Sequence, residues 1–240
     1  MVDGVSRRKP PKLSVSERIA ACAYGAKAQW PSGFQLYQRG GTADGVFVVL
    51  HGHVILRSPI KGGRGFVSAI AMAGETFGAE GLANNGVYAT DANAADGAET
   101  LHLGATQFRA FVREQPAHAL ALVSQIMAER TSLLERMQEL AALNVEERLM
   151  SALLRLGDDV SFTSEEGLVR LESGHHRLLC EMVGATRESI TLALSRMIAS
   201  GAARRAGSTF LIDPRRLNER ARAMIYDSVA PMSVVRELPI

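Results

Sequence analysis

A chain of 240 residues, 47% hydrophobic and 22% charged, has enough apolar material for two domains with their own cores. No run of about 18 apolar residues is present, and Arg7, Arg8 and Lys9 run into prolines rather than an apolar segment, so neither a membrane span nor a secretory leader is predicted. Two cysteines, Cys22 and Cys180, cannot build a disulfide framework or a four-cysteine metal site and fit a reducing, cytoplasmic setting. The formal net charge of +2 says little, but its distribution says more.

Residues 1–13 are basic and proline-bearing and predict a disordered tail. Ser14 or Ser16 can cap a short helix reaching about Ala26. From Gly33 to Leu103 glycines punctuate short apolar runs: Phe34–Tyr37, Val46–Leu50, Val54–Leu56, Phe66–Ala73, Tyr88–Ala95 and Thr100–Leu103. Short strands at such spacing predict a sandwich or barrel, with a hairpin around Gly52. His51 and His53 flank that glycine and fit the opening of a cupin metal motif. No glutamate follows within four residues and no third ligand is placed, so exposed turn histidines are the expectation and no metal is predicted.

After Pro116 a long helix follows, to about Leu143. It carries two apolar stripes. One is Leu120, Val123, Met127, Leu134, Met137 and Ala141; the other is Leu122, Ile126, Leu133, Leu140 and Leu143. Two stripes imply two packing partners: one for the barrel, and one near heptad spacing for the same helix of a second chain. The alternative is a single wide stripe inside a monomer.

A second domain begins near residue 144 with an amphipathic helix over Glu146–Leu156 and short strands at Phe162–Thr163 and Leu168–Leu171. Two helices then flank Gly184. Leu178, Leu179, Met182 and Val183 make the apolar face of the first; Ile190, Leu194, Met197 and Ile198 make that of the second, which Thr186 can cap. Arg187, Glu188, Thr191 and Ser195 are left facing outward. Arg can donate twice to guanine and Glu can accept from cytosine, so the pattern suits a helix-turn-helix in a major groove, although a solvated helical hairpin would look similar. Around it lie Arg177, Arg196, Arg204 and Arg205 with two histidines, His175 and His176, and only two acids, Glu181 and Glu188. Such local basic charge fits a phosphate backbone. Ala203–Arg205 and Thr209–Ile212 predict a hairpin, hence a winged helix-turn-helix. A last helix runs from Asp213 and Pro214 to about Tyr226, and a tail at 228–240 closes the chain.

The order of parts resembles the CRP/FNR family of bacterial transcription regulators. Ala43-Asp44-Gly45-Val46-Phe47-Val48-Val49-Leu50-His51-Gly52 is similar to the first hairpin of the family roll. Gly74-Glu75-Thr76-Phe77-Gly78 resembles its Gly-acid-x-aromatic-Gly turn, and Phe108 with Pro116 the lead into the long helix. Val183-Gly184-Ala185-Thr186-Arg187-Glu188 resembles the Val-Gly-x-Ser-Arg-Glu turn and reading-helix start. The resemblance spans roughly Gly33 to Ile212. It implies an α+β chain: a double-stranded β-helix (jelly-roll, cupin-like) sensor domain over 14–115, a dimerisation helix over 116–143, and a winged helix-turn-helix over 144–227. It also implies a homodimer on two-fold symmetric double-stranded DNA, acting with RNA polymerase at transcription initiation rather than as an enzyme. The DNA-contacting set would be His176, Thr186, Arg187, Glu188, Ser189, Thr191, Arg204 and Arg205.

The same resemblance marks what is missing. Members that bind cyclic AMP carry a glutamate soon after the Phe-Gly pair and an Arg-Ser pair about ten residues on. Here those positions read Ala79, with Glu80 displaced by one, and Ala89-Thr90. Their Thr-Ser pair on the long helix reads Leu133-Leu134. Without the arginine the cyclic phosphate loses its charge-assisted bond. The expected effector pocket, near Phe77, Glu80, Ala89, Thr90 and Leu133, is therefore not expected to take cyclic AMP; another small molecule, or none, stays open, and no cofactor is predicted. An iron–sulfur sensor would need several N-terminal cysteines, and only Cys22 is there. Cys180, just before the turn, reads as a packed residue or as a redox switch beside the DNA-reading helix.

Overall fold

The computed structural model describes residues 12–60, 65–83, 85–158 and 162–228, without the side chains of 96, 173 and 222–228. The expected tails at 1–11 and 229–240 lie outside the described residues. The described chain forms two compact units, one of residues 12–144 with 177–186, the other of 145–176 with 187–228.

The first unit opens with α1 (Val15–Cys22). Ser14 and Glu17 close a capping box: the Glu17 N–H donates to the Ser14 hydroxyl at 3.3 Å and the Ser14 N–H to the Glu17 carboxylate at 2.6 Å. Leu13, expected in the tail, is instead buried, and its N–H donates to the Gly74 carbonyl at 2.8 Å. Six strands follow: β1 (Ala26–Trp30), β2 (Gln35–Tyr37), β3 (Gly45–Pro59), β4 (Gly65–Met72), β5 (Thr76–Phe77) and β6 (Asp91–Gly104). They form a curled antiparallel sheet in the order β1-β6-β3-β4, with β2 joined to β6 and β5 to β3.

Gly52 is not a hairpin turn. β3 runs straight through it, paired with β6 from Gly45↔Gly104 to Arg57↔Asp91, and the register shifts on either side of Gly52. The glycine marks a bulge: its φ is +71°, and a Cβ there would lie 2.2 Å from the Gly97 carbonyl oxygen. The bulge also overturns the expectation of exposed turn histidines. His51 is exposed, but His53 is 4% exposed and pairs opposite Met72.

Both faces of the roll sheet are covered. Along β3, Phe47 and Val49 enter a core with Leu56, Phe77 and Tyr88, while Val46 and Val48 enter another with Leu101, Leu103, Phe111 and Leu122. Alternate residues thus serve opposite cores, which is why the strand reads as a continuous apolar run. The second core is closed by α2 (Ala105–Glu114) and α3 (Pro116–Ala142), the latter beginning with Pro116 where the missing N–H costs nothing.

The second unit contains α4 (Val145–Leu156) and β7 (Val169–Leu171). After α5 (His176–Val183), whose residues from Arg177 fall in the first unit, come α6 (Arg187–Ala199), β8 (Ala203–Ala206), β9 (Thr209–Ile212) and α7 (Pro214–Ser228). The three strands make an antiparallel sheet in the order β7-β9-β8, the expected wing. Leu149, Met150, Leu153, Leu156, Ile190, Leu194, Met197, Ile212 and Leu217 are all buried. Ile198, expected in the buried stripe, is 38% exposed: at the C-terminal end of α6 the stripe closes on Met197.

Candidate nucleic-acid interface

The turn before α6 is built by backbone chemistry. Gly184 takes φ +66°, and the Ala185 N–H donates to the Cys180 carbonyl at 3.1 Å, closing α5 with a Schellman-type bond. Cys180 itself is half-buried. In α6 the residues Ile190, Ala193, Leu194 and Met197 are buried, while Arg187, Glu188, Thr191 and Ser195 are exposed and Ser189 is half-buried. The Arg187 guanidinium has no ion-pair partner among the described residues, so it is ready to donate both of its parallel N–H groups. The Thr191 hydroxyl donates to the Arg187 carbonyl at 2.8 Å and meets His176 Nε2 at 3.2 Å. Burial, and then the Arg187 charge, hold the His176 pKa below its ordinary value.

Arg204 and Arg205 are both exposed on β8. Neighbours on a strand face opposite sides, so each wing face carries one. Arg204 pairs with Glu166 at 3.5 Å, an exposed pair that is easily exchanged for a phosphate; Arg205 Nε donates to the Gly207 carbonyl at 3.0 Å, with its guanidinium 5.7 Å from the Phe210 ring.

Sequence reading misses the node behind α6. Glu146 on α4 is 5% exposed and accepts from Arg196 of α6 at 3.4 Å and from Arg220 Nε of α7 at 3.1 Å. One buried carboxylate thereby ties the reading helix to two others. In the sequence it is only an acid outside the basic patch.

Of the expected effector-pocket residues, Phe77 belongs to the roll core. Phe77 is fully buried and stacks on Phe47 with ring centroids 5.0 Å apart. Tyr37 stacks on Tyr88 at 3.6 Å with the rings 7° from parallel. Glu80 accepts a hydrogen bond from the Ala89 N–H at 3.1 Å. Ala89 is exposed, Thr90 half-buried, and Leu133 on α3 38% exposed. Tyr37, Tyr88 and Glu129 do not stand out in the sequence. Glu129 lies one helical turn before Leu133, and that spacing could have placed it on the same face of α3. Burial, then repulsion from Glu80 and Glu75, pushes its carboxyl up to about 8. Burial, then Asp44 and Glu80, pushes the Tyr88 phenol up to about 12.

On α3, Leu120, Val123, Met127, Leu134 and Met137 are 40–66% exposed, and Ala141 is exposed too. The other stripe begins buried at Leu122 and emerges at Leu133 and Leu140. Two polar residues, Gln125 and Arg136, complete the buried side of α3. Arg136 donates to the carbonyls of Val67 (3.1 Å) and Met182, with its guanidinium 5.4 Å from the Phe66 ring. Within the same compact unit Arg57 pairs with Glu181 at 2.8 Å, and Glu181 also accepts from Arg177 Nε at 3.0 Å. Among the described residues no cluster of three or more His, Cys, Asp or Glu side chains could hold a metal ion, and no helix is long and apolar enough to cross a membrane.

A β-roll, a long helix and a wing following an exposed Arg-Glu helix start define a DNA-binding transcription regulator with an effector-type domain. Comparison with known proteins agrees: the cyclic nucleotide-binding domain matches residues 28–115 and the Crp-like helix-turn-helix domain matches 147–220. The chain belongs to the CRP/FNR family of transcription regulators. Similar solved structures include a CRP/FNR family transcriptional regulator from Thermus thermophilus, 24% identical, covering 82% of this chain and 98% of its own, with a TM-score of 0.70. The c-di-GMP-responsive global regulator CLP of Xanthomonas campestris is 18% identical, covering 83% and 99%, at 0.69. FixK2 from Bradyrhizobium japonicum is 18% identical, covering 81% and 96%, at 0.67. A comparison with curated proteins finds no significant match.

Proposed function

We propose that the protein is a homodimeric, sequence-specific transcription regulator that binds a palindromic promoter site through α6, works with RNA polymerase, and is not controlled by cyclic AMP. The observation that carries the reading is the two-sidedness of α6: an apolar stripe of Ile190, Ala193, Leu194 and Met197 buried, with Arg187, Glu188 and Thr191 exposed opposite. Arg187 then reads a guanine and Glu188 a cytosine, while Thr186, Ser189 and the wing arginines hold the backbone. Two-fold symmetry comes from pairing of α3 through Leu120, Val123, Met127, Leu134, Met137 and Ala141. Those residues span about 32 Å of helix at about 1.5 Å per residue, long enough for a coiled-coil seam.

The roll chemistry disfavours a phosphate. The Ala89 N–H already serves a carboxylate, Glu80, and Glu129 adds a second acid nearby. No arginine stands at 89 to outweigh them. Selection of bound DNA from a random pool by the full-length protein, with and without cell extract, tests the reading. An enriched inverted repeat is expected; no enrichment in either condition refutes it. Calorimetry at millimolar cyclic AMP is expected to show no specific heat, and micromolar binding would overturn that part alone.

A further inference from the structure

Leu192 is 55% exposed in the middle of α6, although its neighbours Ile190, Ala193 and Leu194 are at most 3% exposed. At about 100° per residue it lies about 40° around the helix from Glu188, on the outward face. It sits about 7.5 Å along the axis from Arg187, the rise of about two base-pair steps. The adjacent hydroxyls are turned back into the helix: Thr191 donates to the Arg187 carbonyl at 2.8 Å and Ser195 to the Thr191 carbonyl at 2.9 Å. Hydroxyls bonded this way are not offering their protons to base edges, which leaves Leu192 as an apolar side chain between the exposed Glu188 and Arg196.

A leucine can neither donate to nor accept from a base. Among the groups that distinguish bases in the major groove, the apolar one is the thymine C5-methyl. We infer that Leu192 packs on a thymine methyl about two base pairs from the guanine read by Arg187 and so specifies a T·A pair in each half-site. The inference rests on α6 being the reading helix. It adds an apolar contact to a readout otherwise made of Arg187 and Glu188.

The test uses one methyl group. The site selected by the full-length protein is resynthesised with deoxyuridine for that thymine, leaving every hydrogen-bonding group in place. At the usual transfer free energy of a buried carbon the loss should be about fourfold per half-site and about fifteenfold for both. Leu192→Ala should bind the two DNAs equally, and Leu192→Arg should move the selected base at that position toward guanine. Equal wild-type affinity for thymine and uracil sites, or a selected site with no thymine preference within about three base pairs of the Arg187 guanine, overturns the contact while leaving α6 as reader. Failure to select any site overturns the reading of α6 itself, and this inference with it.

Discussion

Replacing Leu134 and Met137 together by Glu should convert the dimer to monomers. In the single chain these side chains are 54% and 66% exposed, so the folded monomer loses little by their replacement. In a paired seam they would be covered. Full burial of a Leu or Met is worth about 1.5–3 kcal/mol, so the fractions still exposed correspond to about 2–3.5 kcal/mol per chain and about 4–7 kcal/mol for two chains. That is an increase of about a thousandfold to a hundred-thousandfold in the dissociation constant, before any cost of bringing four carboxylates into one seam. Sedimentation or multi-angle light scattering at micromolar protein reads the outcome directly, and unchanged helical circular dichroism confirms that the fold survived. A doubly substituted protein that stays dimeric would refute pairing through this face. A monomeric wild-type chain would refute the dimer altogether.

Arg187→Ala should weaken specific binding by about 1–3 kcal/mol per half-site and relax preference at one base pair; a binding profile with unchanged base preferences would remove Arg187 from readout. Arg204→Ala should instead weaken all sequences alike and lower the slope of affinity against salt by about 1 per wing, measured by titration at several ionic strengths. Glu146→Ala should destabilise the chain by about 1–3 kcal/mol, discounted because both arginine partners remain partly hydrated, as read by urea unfolding; no shift in the midpoint would deny it a role. Glu129 has a folded pKa of about 8 against an ordinary value of 4.5, so its stabilising contribution is full below 4.5 and is lost as pH rises through about 8. Glu129→Gln should therefore melt progressively higher than wild type between about pH 5.5 and 8.5, and parallel melting curves across that range would contradict this.

What is legible in the sequence is what local periodicity encodes. The two faces of α6, the exposed stripe of α3 and the β8–β9 wing each repeat within one element, so residue spacing is enough. Sequence reading fails where distant parts of the chain decide. A glycine inside an apolar run fits a turn or a bulge equally well, and only the pairing of β3 with β6 selects the bulge at Gly52 and turns His53 inward. Arg136 looks like an ordinary surface charge because its partner Val67 is 69 residues away. Glu146 is hidden likewise, with Arg196 50 and Arg220 74 positions downstream. Buried charges are tolerated only when paired, and pairs at such separations leave no local pattern.

The Glu80–Ala89 hydrogen bond gives an exposed amide of the roll a partner from within the chain. The carboxylate is tethered nine residues from the amide it serves, so it competes with any incoming anion intramolecularly, at an effective concentration on the order of millimolar or more. Any phosphate or carboxylate approaching that amide would have to displace it, and its apparent affinity there would fall by the fraction of time the tether is engaged. A neutral or cationic molecule meets no such competitor and finds two acids, Glu80 and Glu129, already close enough to repel one another.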